Sequence, residues 1–342
     1  MTATTKPAPG KAGPGDRAHR PAARGWRRHW PWIRRVLPWL FLVLVLTLVA
    51  SQARELDWQE VRTALTRYDA RTLATAAAIA AGSYLLYSCY DLLSRAYAGH
   101  RLPTRRVLAI TFVSYAFNLN LGSLVGGVGF RIRLYSRMGL DQAQISRVLG
   151  FSVLTNWLGY LLLAGAVFAS GTVELPDQWK IGSTGLRWLG AALLAVAGAY
   201  LAACMFSRRR SFQLRGHELS LPSPRLALAQ FALSTCNWLA IAGVLYVLFR
   251  GQLAFGTVVA VLMVSAVAGV VTHVPAGLGV LEAVFIGLLG WKFSRPELVA
   301  TLVAYRALYY LAPLIAAAGL YALLEWRARH AGGDTDEPRG SR

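Results

Sequence analysis

Apolar runs of about 20 residues recur along most of this chain, and two are interrupted by glycine with an ionisable residue close by. A run of that length is what a helix needs to cross a hydrocarbon core of about 30 Å. Nine such segments can be drawn, at 33–51, 72–93, 107–125, 147–170, 184–206, 225–249, 254–274, 279–291 and 298–325. The first interruption reads Asn118-Leu119-Asn120-Leu121-Gly122-Ser123-Leu124-Val125-Gly126-Gly127-Val128-Gly129-Phe130-Arg131. The second reads His273-Val274-Pro275-Ala276-Gly277-Leu278-Gly279-Val280-Leu281-Glu282. Backbone that leaves the helix inside a bilayer is tolerated only where it is buried in protein or lines a wet cavity. Broken helices in corresponding parts of a chain are therefore a pointer to a transporter's binding site.

Composition supports the membrane reading. Hydrophobic residues make up 55% of the 342 and charged residues 15%, which argues against a soluble globular chain. The formal charge of +20 would suit nucleic acid, but its distribution does not. Basic clusters sit between alternate apolar segments: Arg95, Arg101, Arg105 and Arg106; Arg131, Arg133, Arg137 and Arg147; Arg208, Arg209, Arg210, Arg215 and Arg225. The stretches 54–71 and 171–183 instead mix acids with bases. This is the positive-inside pattern, and no nucleic-acid partner is expected. Cys89, Cys204 and Cys236 all fall in apolar segments without paired spacing and read as small buried hydrophobes.

Residues 1–32 read as a disordered basic cytoplasmic tail, 33–326 as a single transmembrane helical domain, and 327–342 as a second cytoplasmic tail. Trp26-Arg27-Arg28-His29-Trp30-Pro31-Trp32 looks like an interfacial anchor for anionic headgroups. A cleaved signal peptide is not expected, since no small-residue cleavage pattern follows Ala50 cleanly. Nine full crossings from a cytoplasmic start would place Arg131, Arg133 and Arg137 outside. Letting the third segment enter, break near Gly122–Gly129 and return removes the conflict. Segments seven and eight then form a second hairpin, broken near Pro275–Gly279, entering from the opposite face. The expected fold is all-α: about six to eight spanning helices with two re-entrant hairpins in inverted arrangement and both termini cytoplasmic. A faint internal echo accompanies it, Asn156-Trp157-Leu158 against Asn237-Trp238-Leu239.

Several side chains at the breaks are candidates for holding a substrate. Arg131 and Arg133 follow Gly129 and suit a lipid phosphate, which guanidinium binds bidentately; the alternative is a pair of positive-inside residues at a helix start. Gly122, Gly126, Gly127 and Gly129 suit left-handed turns that aim N–H groups at an anion, or else close helix packing. Asn118 and Asn120 either satisfy the broken backbone or touch a headgroup. His273 precedes Pro275 and suits a proton relay or a cap on loose carbonyls. Glu282 opens a short helix after Gly279, and its expected partner is Arg306, eight residues into the last segment and flanked by Tyr305, Tyr309 and Tyr310. Asp91 and Arg95, four apart, read as an interfacial ion pair on one helix. The candidate substrate-binding set is therefore Asn118, Asn120, Gly122, Gly126, Gly127, Gly129, Arg131, Arg133, Asn156, His273, Pro275, Gly277, Gly279, Glu282, Tyr305 and Arg306.

Catalytic machinery is not evident: there is no Walker motif, no His/Glu metal spacing and no Gly-x-Ser-x-Gly elbow. No metal or cofactor is implied, and the reading leans away from an enzyme.

At the two breaks the chain resembles a known family. The run from Phe112 to Gly139, and the His273 to Glu282 stretch in the same order, are similar to the signatures of YbhN-type bacterial inner-membrane proteins, which belong with the transmembrane, flippase-like region of lysylphosphatidylglycerol synthases. The likeness covers roughly residues 30–326. In that family, two-part members join this region to a cytosolic aminoacyltransferase domain. This sequence ends at Arg342 without one, so the resemblance implies the membrane part, associated with moving aminoacylated phospholipid between leaflets. The expected role is a flippase-like transporter of a phospholipid or other lipid-linked headgroup in the bacterial inner membrane. Membrane lipids and anionic headgroups are the expected partners, with a homo-oligomer or a separate lipid synthase left open. The alternatives are a membrane transferase or hydrolase with Glu282 or His273 as general base, and a non-catalytic partner of a lipid synthase.

Overall fold

Capping signals in the sequence set the helix boundaries of the computed structural model, which describes residues 58–171, 182–208, 211–214, 217–272 and 279–333. All of them lie in the unit from Asp57 to Arg342. A short α1 (Trp58–Thr66) precedes the long α2 (Ala70–Ala98). Helix α2 starts at Asp69, whose carboxylate accepts from the Thr72 N–H, and ends at Gly99 in a left-handed cap. Next come α3 (Thr104–Leu121), a π-helical stretch (Ser123–Gly129) and α4 (Phe130–Arg137). A reciprocal capping box between Asp141 and Gln144 starts α5 (Gln142–Ser170). Then follow α6 (Ser183–Phe206), the short strands β1 (Ser211–Leu214) and β2 (His217–Ser220), and α7 (Pro224–Leu248), with Ser223 as its cap and Pro224 in its first turn. The chain continues through α8 (Phe255–Thr272), α9 (Val280–Leu289), α10 (Arg295–Arg306), a second π-helical stretch (Ala307–Leu311) and α11 (Ala312–Gly333).

The fold is thus nearly all helical, as composition requires. The antiparallel pair β1–β2, with Ser211 opposite Ser220, is the one departure from an all-α reading among the described residues. Among the described residues six helical stretches are long and apolar enough to cross a membrane: α2, α5, α6, α7, α8 and the continuous Arg295–Trp326 helix. Apolar segment 33–51 lies outside the described residues.

The chain doubles back where the first glycine break was read. Gly122, with φ 80° and ψ 170°, ends α3. The π-helical stretch and α4 then run back along α3. Gly126 lies so close to the Phe117 backbone that a Cβ would overlap its carbonyl. Beyond it, the rings of Phe117 and Phe130 stack at 4.2 Å. At the open end, the Arg106 guanidinium near the start of α3 reaches the Met138 sulfur at 3.9 Å, just past α4. Both ends of this hairpin therefore lie at one level.

Helices α8 and α9 behave alike. They pack on each other, and Lys292 after α9 donates to the Gln252 carbonyl before α8 at 2.5 Å. Residues 273–278 between them lie outside the described residues. Helix α8 is long enough to cross, yet its partner brings the chain back to the level at which it began.

Contacts at the two ends of the bundle fix the relation between the hairpins. At one end Tyr97 donates to the Ser220 carbonyl at 2.7 Å, and Arg133 and Arg137 bind Glu325 at 2.9 and 2.5 Å. At the other end Tyr68 donates to Thr301 at 3.1 Å and Arg250 donates to the Arg67 carbonyl. Helices α5, α6 and α7 separate the hairpins in sequence, so the first opens at one end and the second at the other. The first end carries Arg101, Arg105, Arg106, Arg137 and Arg208, which assigns it to the cytoplasm.

Helix α6 sits at the edge of the bundle. Its buried Leu186, Gly190, Ala197 and Cys204 form one stripe against α5, while Trp188, Val196 and Phe206 point outward. Gly190 lets the two backbones approach closely.

The close approach at Gly126 generates a prediction. Gly126→Leu would have to push α3 away from its own return leg, at a cost of at least about 1–3 kcal/mol. Thermal unfolding in detergent should fall well below the parent, while Gly82→Ala, where a Cβ meets nothing within 4 Å, leaves it unchanged.

Candidate functional site

Both hairpins and the middle of the last long helix converge on one cavity of about 870 Å³. The first hairpin contributes Asn118 and the turn from Leu121 to Val125; the second contributes Ser265, Gly269, Val280 and Leu281. Asn156 from α5, Trp238 from α7 and Tyr305, Tyr309 and Tyr310 close it. Asn156 is the fifteenth of the 29 residues of α5, and Trp238 the fifteenth of the 25 of α7. The cavity therefore lies near mid-depth.

A buried hydrogen-bond chain forms one wall. Ser83 donates to the Asn237 side-chain oxygen at 2.7 Å and lies 2.7 Å from the Tyr309 hydroxyl, which lies 3.1 Å from that of Tyr115. Each hydroxyl owns a single proton. With the Ser83 proton directed to Asn237, Tyr309 donates to Ser83 and Tyr115 donates to Tyr309. Tyr84 donates to the Tyr309 carbonyl at 3.0 Å, and Tyr87 stacks on Tyr115 with ring centres 3.5 Å apart. These bonds tie α2, α3, α7 and the second π-helical stretch together where apolar attraction between helices is weak. A π-bulge inside an α-helix commonly marks a functional position; this one follows Arg306 directly.

At the cavity edge, Arg306 and Glu282 form the bidentate pair that the sequence suggested, with Nε–Oε1 at 2.5 Å and Nη2–Oε2 at 3.0 Å. Glu282 follows the lining residue Leu281, and Arg306 follows Tyr305. The pair is incompletely buried, with side-chain exposures of 24% for Glu282 and 16% for Arg306. The guanidinium also lies over the Tyr310 ring. Gly279, at φ 78°, starts the helix that carries Glu282.

The other candidates are sorted by their placement. Arg131 is 3% exposed and does not face the cavity. Its guanidinium binds Asp91 through two bonds of 3.0 and 3.2 Å, and also reaches Ser152 and the Gly127 carbonyl. Tyr135 adds a bond of 2.8 Å to Asp91. The expected Asp91–Arg95 pair is corrected: Arg95 turns instead to the Leu102 carbonyl and Thr104. Same-helix spacing misled here, because the return leg of the hairpin supplies a buried guanidinium nearer to Asp91. Arg133 belongs to the cytoplasmic cluster with Arg137, Glu325 and Tyr321.

Asn118 lines the cavity, whereas Asn120 donates to the carbonyls of Ala116 and Tyr310 at 2.8 and 3.3 Å. Of the four glycines in the first break only Gly122 takes a positive φ. Gly126 and Gly127 permit close packing on Phe117 and Asn118, and Gly129 is helical. Of the left-handed turns expected at these glycines, the structure shows one, at Gly122. Asn156 lines the cavity, and its carbonyl accepts from Ser234 and Trp238. His273, Pro275 and Gly277 lie outside the described residues.

Sequence reading missed Tyr87 and Tyr115 as wall residues, Tyr84 as the support behind Tyr309, and Glu325 as the cytoplasmic anion. A signal existed for Tyr84 and Tyr87. Tyr84, Tyr87 and Asp91 fall at i, i+3 and i+7, a polar stripe along a helix otherwise suited to lipid.

Comparison with known proteins agrees with this architecture. The model of the lysylphosphatidylglycerol synthase TM region matches residues 36–317. The chain is 45% identical over 301 residues to inner membrane protein YbhN of Escherichia coli K12, covering 88% of this chain and 95% of that protein. It is 30% identical over 308 residues to the uncharacterized protein slr0712 of Synechocystis, covering 87% and 95%. Phosphatidylglycerol lysyltransferase of Staphylococcus haemolyticus is 23% identical over 288 residues, which cover 81% of this chain but 32% of that enzyme.

Removing one partner of the buried Asp91–Arg131 pair leaves an uncompensated charge, at a cost of about 3–5 kcal/mol. Asp91→Asn should accordingly show a large loss of thermal stability in detergent. Replacing both partners, Asp91→Leu with Arg131→Met, should recover much of that loss.

Proposed function

The chain belongs to the family of the lysylphosphatidylglycerol synthase transmembrane region and is a multi-pass protein of the bacterial inner membrane; on that premise we propose that it translocates a phospholipid or other lipid-linked headgroup between leaflets. The observation that carries the reading is the convergence of both hairpins on one mid-depth cavity with a partly exposed ion pair at its edge. A headgroup crossing the bilayer needs polar partners where lipid tails offer none. The cavity walls supply tyrosine hydroxyls and the side chains of Asn118, Asn156 and Ser265 among apolar ones.

The chemistry proposed for the pair is exchange. Guanidinium binds carboxylate and phosphate with the same forked geometry. A lipid phosphate replacing Glu282 on Arg306 keeps the arginine satisfied and frees Glu282. The freed carboxylate, away from bulk water, takes up a proton or meets a cation on the headgroup. Either outcome balances charge during passage.

Reconstitution tests this. Purified protein in liposomes should move headgroup-labelled phospholipid across the bilayer. Arg306→Gln and Glu282→Gln, singly, should each slow the movement by roughly tenfold or more, the equivalent of about 1.4 kcal/mol at the rate-limiting step. Rates equal to the parent in both variants, with unchanged folding, would exclude the exchange. Absence of movement by the parent chain would exclude the transport reading.

A further inference from the structure

The extracytoplasmic end of the bundle holds a second cavity that translocation does not account for. It measures about 470 Å³ and lies between the loop after α1, the end of α7 and the start of α10. Arg67, Arg250 and Gln252 line it, with Glu297 as the single acid among the lining residues.

Arg250 is unusual in its backbone. It is the one non-glycine residue with positive φ among the described residues, at 51°, and Gly251 follows at 67°. A left-handed conformation costs an L-residue with a side chain roughly 1–2 kcal/mol, and glycine is the usual choice after a helix. Such strain at a non-glycine residue is a reason to look for function. Here the conformation brings the Arg250 guanidinium over the Tyr68 ring, 5.1 Å from its centre, and lets it donate to the Arg67 carbonyl. Arg250 and Arg67 both line the cavity.

Both arginines act electrostatically on the Tyr68 hydroxyl. Burial raises its pKa above the ordinary value, the hydrogen bond with Thr301 and the charge of Arg250 oppose the rise, Glu297 adds to it, and Arg67 opposes it less strongly. Two arginines thus border one recess, with the Ser294 hydroxyl beside them; the Thr301 hydroxyl is committed, giving its proton to the Glu297 carbonyl and accepting from Tyr68. Planar forked donors around a small recess suit a tetrahedral oxyanion.

We propose that Arg67 and Arg250 form a phosphate-binding site at the extracytoplasmic end of the bundle. The ligand chemistry is a phosphate monoester or diester, from a lipid headgroup of the outer leaflet or free in solution. The site adjoins the central cavity through α10: Thr301 lines the outer recess and Tyr305 the inner one, a single turn or about 6 Å apart. It binds phosphate whether or not the central cavity carries lipid across.

Arginine-specific labelling of the full chain tests this. The detergent-solubilised protein is treated with phenylglyoxal, and modification of Arg67, Arg250 and the exposed control Arg105 is followed by mass spectrometry. Parallel samples contain dioctanoyl phosphatidylglycerol, dioctanoylglycerol, inorganic phosphate, or sodium chloride at matched ionic strength. At a ligand concentration about ten times its Kd, occupancy predicts roughly tenfold slower modification of Arg67 and Arg250, with Arg105 unchanged. Protection by phosphatidylglycerol alone assigns the ligand to lipid; protection by inorganic phosphate as well assigns it to phosphate from either source. Protection by neither, by dioctanoylglycerol equally, or of Arg105 to the same extent overturns the site.

Arg250→Gly separates binding from folding, because glycine suits the left-handed backbone. A folded Arg250→Gly variant should lose ligand protection at Arg67. Undiminished protection there would overturn the two-arginine site. Normal labelling protection in a protein that moves no lipid would sink the transport proposal and leave this one standing.

Discussion

Peptide groups cannot be left unpaired in hydrocarbon, and the rest of the architecture is arranged around that constraint. A helical hairpin that turns inside the bilayer exposes carbonyls and N–H groups at its tip. In the first hairpin the exposure is small. The Gly122 N–H bonds back to the Asn118 carbonyl, and the Gly126 N–H bonds to the Gly122 carbonyl. The return leg keeps its own hydrogen bonds by winding as a π-helix and presses against α3 through Gly126 and Gly127. The Asn120 side chain, reaching the Tyr310 carbonyl, gives a partner to the other π-helical stretch. What remains unburied is the tip itself, and it faces the cavity.

A hairpin of this kind must also be held in place, since helix-on-helix attraction in lipid is weak. Two ionic clusters do so from different levels. Asp91 and Arg131 join the return leg to α2 inside the bundle, with Tyr135 and Ser152 satisfying further positions on the pair. Arg133 and Arg137 join it to α11 through Glu325 at the cytoplasmic end, where Tyr321 also donates to the carboxylate. The inner pair is fully enclosed and its geometry is complete, which marks it as an anchor. The Glu282–Arg306 pair retains measurable exposure and sits at the cavity edge, which is why the proposed exchange is assigned to it.

Much of this was legible in the residues, and the limits of legibility have physical causes. Apolar length gave the helices, and the alternation of basic with mixed connections gave the two opposed hairpins, because both depend on local composition. The Glu282–Arg306 pair was legible because each charge is isolated in an apolar run and must find a counter-charge. Arg131 was not, because its partner depends on where the return leg packs, and Asp91 had a nearer candidate in sequence. The glycines illustrate the same limit: a cluster of four announces a break, but only the packed structure distinguishes the one that turns from those that permit close approach. Strand β1 does alternate, with Phe212 and Leu214 set between Ser211 and Gln213, but the pattern spans only four residues of a short polar connection and β2 does not continue it.

Charge balance bears on what the central cavity can accept. Arg131 is matched by Asp91 and Arg306 by Glu282, and among the described residues the cavity lining contains no ionisable group other than tyrosine. A site prepared with an unpaired cation would hold a phosphate strongly and release it slowly, which suits a receptor rather than a conduit. A neutralised pair instead offers its guanidinium only in exchange for its carboxylate, so the net interaction is the difference between two similar forks. Aromatic faces and hydroxyls then supply moderate, geometrically tolerant contacts for whatever the phosphate carries. Weak and replaceable binding at mid-depth is what passage across a bilayer requires, since an intermediate held too firmly would stall there.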